Sequence, residues 1–170
     1  MAVTITGDGI NYGTSGPTTA GTITNFTGGV YNAYWNDYVD AVSVDEAAVI
    51  EPGYAYAFDG ERYFKTEKYA DERYFGMDSD TYGQGIGFGN EKAIRVPVSG
   101  FVLAYTDKKY KSGTPLTCTE GGILTEANAD ILRNKPYLVI ATYWKNEPGE
   151  LIGDDFRKVK VNGRNWVKIK

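Results

Sequence analysis

The chain contains no histidine and one cysteine, Cys118, so its acidic side chains carry most of the chemistry it could perform. Without histidine there is no Ser-His-Asp or Cys-His nucleophile and no histidine-ligated metal. A single cysteine allows neither an internal disulfide nor a thiolate zinc site. Cys118 lies between Thr117 and Thr119 and is expected to be packed, not reactive. The most suggestive spacing is Asn36-Asp37, flanked by Tyr34, Trp35 and Tyr38 within VYNAYWNDYVDAV. An Asn side chain can attack its own carbonyl carbon, and a nearby carboxylate can direct water to the same bond. Asp37, Asp40, Asp45 and Glu46 supply carboxylates close by in sequence. If folding dried this site, one of them could hold a raised pKa and donate a proton. The competing expectation is a polar turn entering the first strand. Asp78, Asp80 and Thr81 in MDSDTYG resemble the start of a calcium loop, but the rest of that pattern, including its closing Glu, is missing. A solvated turn is the expectation there, and Asp154-Asp155 reads as surface charge. GQGIGFG lacks the dinucleotide fingerprint, because no helical pattern follows it. No metal and no cofactor is expected.

The elements that must position these residues are short strands. The chain has 170 residues, enough for one domain with a core, and its 21 Gly and 14 Tyr favour turn-rich β structure. Net charge is −4, which disfavours a phosphate backbone as partner. No apolar stretch approaches the ~20 residues that cross a bilayer, and MAVTITGDG lacks the form of a signal peptide. The expectation is therefore a soluble chain made in a cytoplasm, with no nucleic acid and no membrane insertion.

Residues 1–30 form a Gly/Thr-rich stretch with little to bury, read as an extended anchor or inter-subunit ribbon, or else as a floppy leader. Residues 31–170 read as a single compact antiparallel β domain, barrel- or sandwich-like, with about eight to ten strands and one short helix. YAYAFDGERYFKT predicts a hairpin on Asp59-Gly60 with Tyr56 facing Tyr63. DTYGQGIGFGN predicts a strand whose backbone packs closely on a neighbour. EKYADERYFGMD is compatible with a short helix or an exposed loop. AIRVPVSGFVLAY puts Ile94, Val96 and Val98 on one face, with a bulge or corner at Gly100 and an edge at Pro97. PLTCTEGGILTEA predicts a hairpin tipped by Glu120-Gly121-Gly122. The helix is predicted over 125–134, capped by Thr125, with Ala127, Ile131 and Leu132 as its buried face and Pro136 as its stop. YLVIATYW predicts a central strand. KVKVNGRNWVKIK predicts a closing hairpin on Asn162-Gly163 with Val159 opposite Trp166 and its basic residues exposed.

One ordered set of motifs resembles a known family. YNAYWNDYVDA is similar to the AVWNDYAEY opening of a C-terminal domain found in bacteriophage fibre and appendage proteins. SDTYGQGIGF, PVSGFVLAY, KSGTPLTCTEGGILT, IATYWKNEPGE and VKVNGRNWVKIK follow in the family's order, so the resemblance covers Tyr31 to Lys170. A more distant similarity is to the self-cleaving intramolecular-chaperone domain of phage neck appendage proteins. The resemblance implies a virion component, usually a homotrimer, with this domain at the tip of a fibre or spike. By position it also implies a scissile bond at Asn36-Asp37. The chain departs from the family after Tyr38, where Val39, Asp40 and Ala41 replace Ala-Glu-Tyr.

The expected function is thus a non-enzymatic virion structural protein (head fibre, decoration or tail-tip component). Its N-terminus would attach to other virion proteins, and Tyr31, Tyr34, Trp35 and Tyr38 would be buried between copies. Two alternatives accompany it. One is a receptor-binding tip that stacks aromatics on host surface glycan. The other is an autoproteolytic chaperone using Asn36, Asp37 and Asp40.

Overall fold

A computed structural model describes residues 5–6, 9–10, 37–45, 47–87, 92–153 and 158–170. The chain divides into two units, Met1–Tyr31 and Asn32–Lys170. In the first, β1 (Ile5–Thr6) pairs antiparallel with β2 (Gly9–Ile10). The second unit is mostly β with one short helix. Its strands are β3 (Asp37–Ser43), β4 (Ala55–Phe58), β5 (Tyr63–Lys65), β6 (Tyr74–Met77), β7 (Tyr82–Ile86), β8 (Ala93–Ala104), β9 (Pro115–Cys118) and β10 (Leu124–Glu126). After helix α1 (Ala129–Asn134) come β11 (Ala141–Asn146), β12 (Leu151–Gly153), β13 (Lys158–Lys160) and β14 (Asn165–Ile169).

The principal sheet runs β10-β9-β11-β14-β8-β3-β7, flanked by a three-stranded sheet β5-β4-β6 and the pair β12-β13. It is mixed, because β3 pairs parallel with β7, and it stays open where a barrel would close. The layering follows from alternation along β8 and β14. Val102, Ala104 and Val167 join Ala55, Met77, Leu116, Leu124, Ala141 and Tyr143 in the main core. Their neighbours Leu103 and Trp166 pack with Val159 and Val161 in a second cluster. Strands buried on both faces explain the unbroken apolar run FVLA. Beyond the sheet, Ile131 of α1 packs with Ala70, Ala127, Leu138 and Val139.

Several registers differ from expectation. The β4–β5 loop spans four residues, so Phe58 opposes Tyr63 and Tyr56 opposes Lys65. The Asp59 carboxylate accepts from the Glu61 and Arg62 backbone N–H groups, a local bond that outcompetes the tighter Asp-Gly turn. Asn162 and Gly163 do form a turn with both φ positive, closed by Arg164 N–H to the Val161 carbonyl. The strands it joins do not pair with each other. β13 pairs with β12, and β14 lies between β11 and β8, so Val159 opposes Ile152, not Trp166. α1 is capped by Asn128, whose Oδ1 accepts from Ile131 N–H at 2.9 Å. Thr125 instead lies in β10 and donates to Asp107, and Leu132 is exposed. The 67–73 segment is a turn, with Ala70 at positive φ.

Four ladders carry one extra residue each, and in β7, opposite Asp37 and Tyr38, it is Gly83. β8 shifts register opposite Tyr38 and Val39, leaving Val98 as the extra residue. β11 shifts between Tyr143 and Lys145, leaving Trp144, and β6 shifts opposite Tyr56 and Ala57, leaving Phe75. A bulge re-aims the side chain it inserts. Val98 and Trp144 are accordingly 49% and 39% exposed. The break in β8 is therefore at Val98, two residues before the expected Gly100. Ile94 and Val96 keep the inner position that Val98 leaves. Gly87, just after β7, comes so close to β3 that a Cβ there would lie 2.5 Å from the Ala41 carbonyl oxygen.

Candidate functional site

The polar residues of MDSDTYG lie inside the protein, not in a solvated turn. Asp78, Ser79 and Thr81 are buried, and Asp80 is nearly so. The Asp78–Thr81 segment links β6 to β7 and passes the first half of β8, where β14 no longer pairs. Ser79 N–H donates to the Arg95 carbonyl, and Arg95 N–H donates to Asp78 Oδ1 at 2.8 Å. Pro97 lies in this half of β8, beyond the last β14 pair, so it costs the sheet no ladder bond on that side.

Two arginines hold the segment. Arg95 donates through Nε to Asp78 Oδ1 at 2.9 Å and through its terminal nitrogen to Oδ2. Arg164 grips Asp80 through both terminal nitrogens, at 2.7 and 2.9 Å. It also donates to the Lys160 and Val161 carbonyls. At 2% exposure, Arg164 is the largest fully buried side chain among the described residues. Its stem fits because position 53 is glycine at φ +87°, where a Cβ would lie 2.5 Å from Arg164 Cδ. Burial pushes the Asp78 carboxyl above its ordinary range, and the hydrogen bonds and charge of Arg95 pull it back. Burial also works against the Arg95 charge, but Asp78 outweighs it and holds the guanidinium above its usual value. Removing one partner of such a pair costs about 3–5 kcal/mol, because the other charge stays buried.

Asp37 meets this seam. It is buried at the start of β3, and its Oδ2 accepts from the Ser79 hydroxyl at 2.6 Å. Ser79 Oγ in turn accepts from Thr81 N–H at 3.1 Å and lies 3.2 Å from the Thr81 hydroxyl. A hydroxyl whose proton points at a carboxylate is half of an activated nucleophile. It is also a common way to satisfy a buried acid.

The other expected site residues do not gather here. Asp40 lies three residues along β3, and alternation puts it on the opposite face from Asp37. Its Oδ1 is buried without a hydrogen-bond partner among the described residues. Asp45 is exposed. Tyr31, Tyr34, Trp35, Asn36, Glu46, Asp154 and Asp155 lie outside the described residues, as does most of the 1–30 stretch. Tyr38 is 38% exposed on the same face as Asp40. Cys118 is fully buried, and that burial pushes its thiol up, as expected of a packed cysteine.

Sequence reasoning missed Ser79, Arg95 and Arg164. The terminal basic run was expected to face solvent, and Lys158 and Lys160 do so while Arg164 turns inward. The available signal was the pair of acids at 78 and 80 between apolar residues, which would need counter-ions if folded inside. Among the described residues, no cluster of three or more Cys, Asp or Glu could hold a metal ion, and no helix is long and apolar enough to cross a membrane. Compared with protein-family models, curated proteins and solved structures, the chain matches none.

Proposed function

We propose that the protein is a structural component of a bacteriophage particle, acting by association with copies of itself and with other particle proteins. The ordered motifs from Tyr31 to Lys170 support this reading. The observation that carries it is a set of exposed apolar groups on and beside β3, namely Tyr38, Val98 and Ile86. Tyr38 pairs with Ser99 beside the bulged Val98, and Asp40 pairs with Ile86 on β7, so register puts Tyr38 and Ile86 on one face, which turns inward farther along β8 at the buried Ile94. Val98 and Ile86 are 49% and 55% exposed, and β7 is the last strand of the sheet among the described residues. Apolar area removed from water contributes about 25 cal/mol per Å², so covering these groups with a second copy would favour assembly.

Sedimentation equilibrium at micromolar concentration tests the proposal. The resemblance implies three copies, so the expected mass is about three times the 18.7 kDa chain. Replacing Tyr38 and Val98 together by Ser should shift the equilibrium toward monomer. A stable monomer of the unaltered chain would overturn the reading.

A second reading, a tip that stacks on surface sugars, is favoured by Trp144. Its bulge turns it outward beside Phe101, at 4.5 Å between ring centres, and Trp166, at 6.5 Å. Exposed aromatic faces with polar neighbours suit sugar rings.

A further inference from the structure

We propose that a cavity between Tyr105 and β13 binds an acidic saccharide, a sugar ring carrying a carboxylate or a phosphate. This deepens the sugar-binding reading and rests on it, but places the ligand away from Trp144. The cavity is about 450 Å³ and is lined by Tyr54, Tyr105, Asp80, Lys158, Lys160 and Arg164. That volume is in the range of small-molecule sites.

The aromatic wall has one face to offer. Tyr54 and Tyr105 stack with ring centres 4.4 Å apart. Lys65 Nζ sits 3.4 Å from the centre of the Tyr54 ring. Groups that close cannot share a face, so Tyr54 is sandwiched and Tyr105 keeps its outer face. Asn162 lines the same cavity. A sugar ring stacks on such a platform through its C–H groups.

The charges decide the ligand's sign. Asp80 is neutralised by Arg164, and Glu51, which also borders the cavity, is neutralised by Lys65 at 2.6 Å. Lys158 and Lys160 are exposed and have no ion-pair partner among the described residues. Two uncompensated cations beside one aromatic face fit a single anionic ring. They are too few for a nucleic-acid backbone, which the net charge of −4 also disfavours.

The test titrates the full chain with trigalacturonate, sialyllactose, a glucosyl glycerol-phosphate oligomer and neutral maltotriose, read by calorimetry. At least one acidic probe should bind about tenfold or more tighter than maltotriose. The carboxylate and phosphate arms separate the two sources of charge. Tyr105→Ser should weaken that binding about tenfold. Because Tyr105 also packs on Tyr54, a second variant, Lys158→Glu with Lys160→Glu, alters only exposed groups and should abolish it. Failure of every probe at about 10 mM would overturn both this site and the sugar-binding reading. Binding that survives the lysine reversal, or that is lost on Trp144→Ser but not on Tyr105→Ser, would overturn the cavity alone. Sedimentation of the same samples reports on assembly independently.

Discussion

Asp71 shows how a single residue ties stability to pH. It is fully buried, accepts from Arg73 through both oxygens and from Glu67 N–H, and follows Ala70 at positive φ. The Arg73 side-chain bonds outweigh burial and bring its pKa down to about 2. An acid whose folded pKa lies below its unfolded value stabilises the fold above the unfolded pKa, near 3.9, and loses that contribution as pH falls through the folded one. Arg73 is partly exposed, so the contribution is discounted for screening to about 1 kcal/mol. Asp71→Asn should therefore cost about 1 kcal/mol in urea unfolding at neutral pH. The gap to the unaltered chain should close as pH drops from about 4 to about 2. A gap that held constant across that range would assign Asp71 a packing role instead.

Helix α1 is six residues long, too short to persist on propensity, so its cap and its packing must hold it. Asn128→Ala removes the acceptor for Ile131 N–H and should cost about 1 kcal/mol, read from the urea midpoint at unchanged slope. Thr125→Ala should leave α1 intact, because that side chain bonds Asp107. The misplaced cap shows which parts of the fold were legible. A helix ending before Pro136, a hairpin tipped by 120–122 and a strand at 93–104 follow from local pattern, whereas the strand expected over 137–144 begins only at Ala141, after a helical turn at Pro136–Leu138. Which of several Thr and Asn residues caps, and whether Tyr63 meets Phe58 or Tyr56, depends on competing side-chain bonds of similar strength. Strand partners were less legible still. Parallel pairing of β3 with β7 joins residues more than forty positions apart, and no turn chemistry announces it. Ser79 and Arg164 went unseen for the same reason, since each acquires its role from a distant acid.

For the whole molecule, the non-enzymatic reading makes a simple demand of mass. Asp37 is engaged by Ser79, and Asp40 lies on the other face of β3, so the two acids do not share a site. Intact-mass measurement after prolonged incubation should give the full 18.7 kDa chain. A fragment beginning at Asp37 would restore the self-cleaving chaperone. The inserted residues at 98 and 144 bear on how such a surface can change over time. Each stands outside the two-residue count of its strand. A chain shortened by that one residue would keep every inward group facing inward and would lose only what points out. Contact with the outside can thus be gained or dropped in a single genetic step while the interior is left as it was.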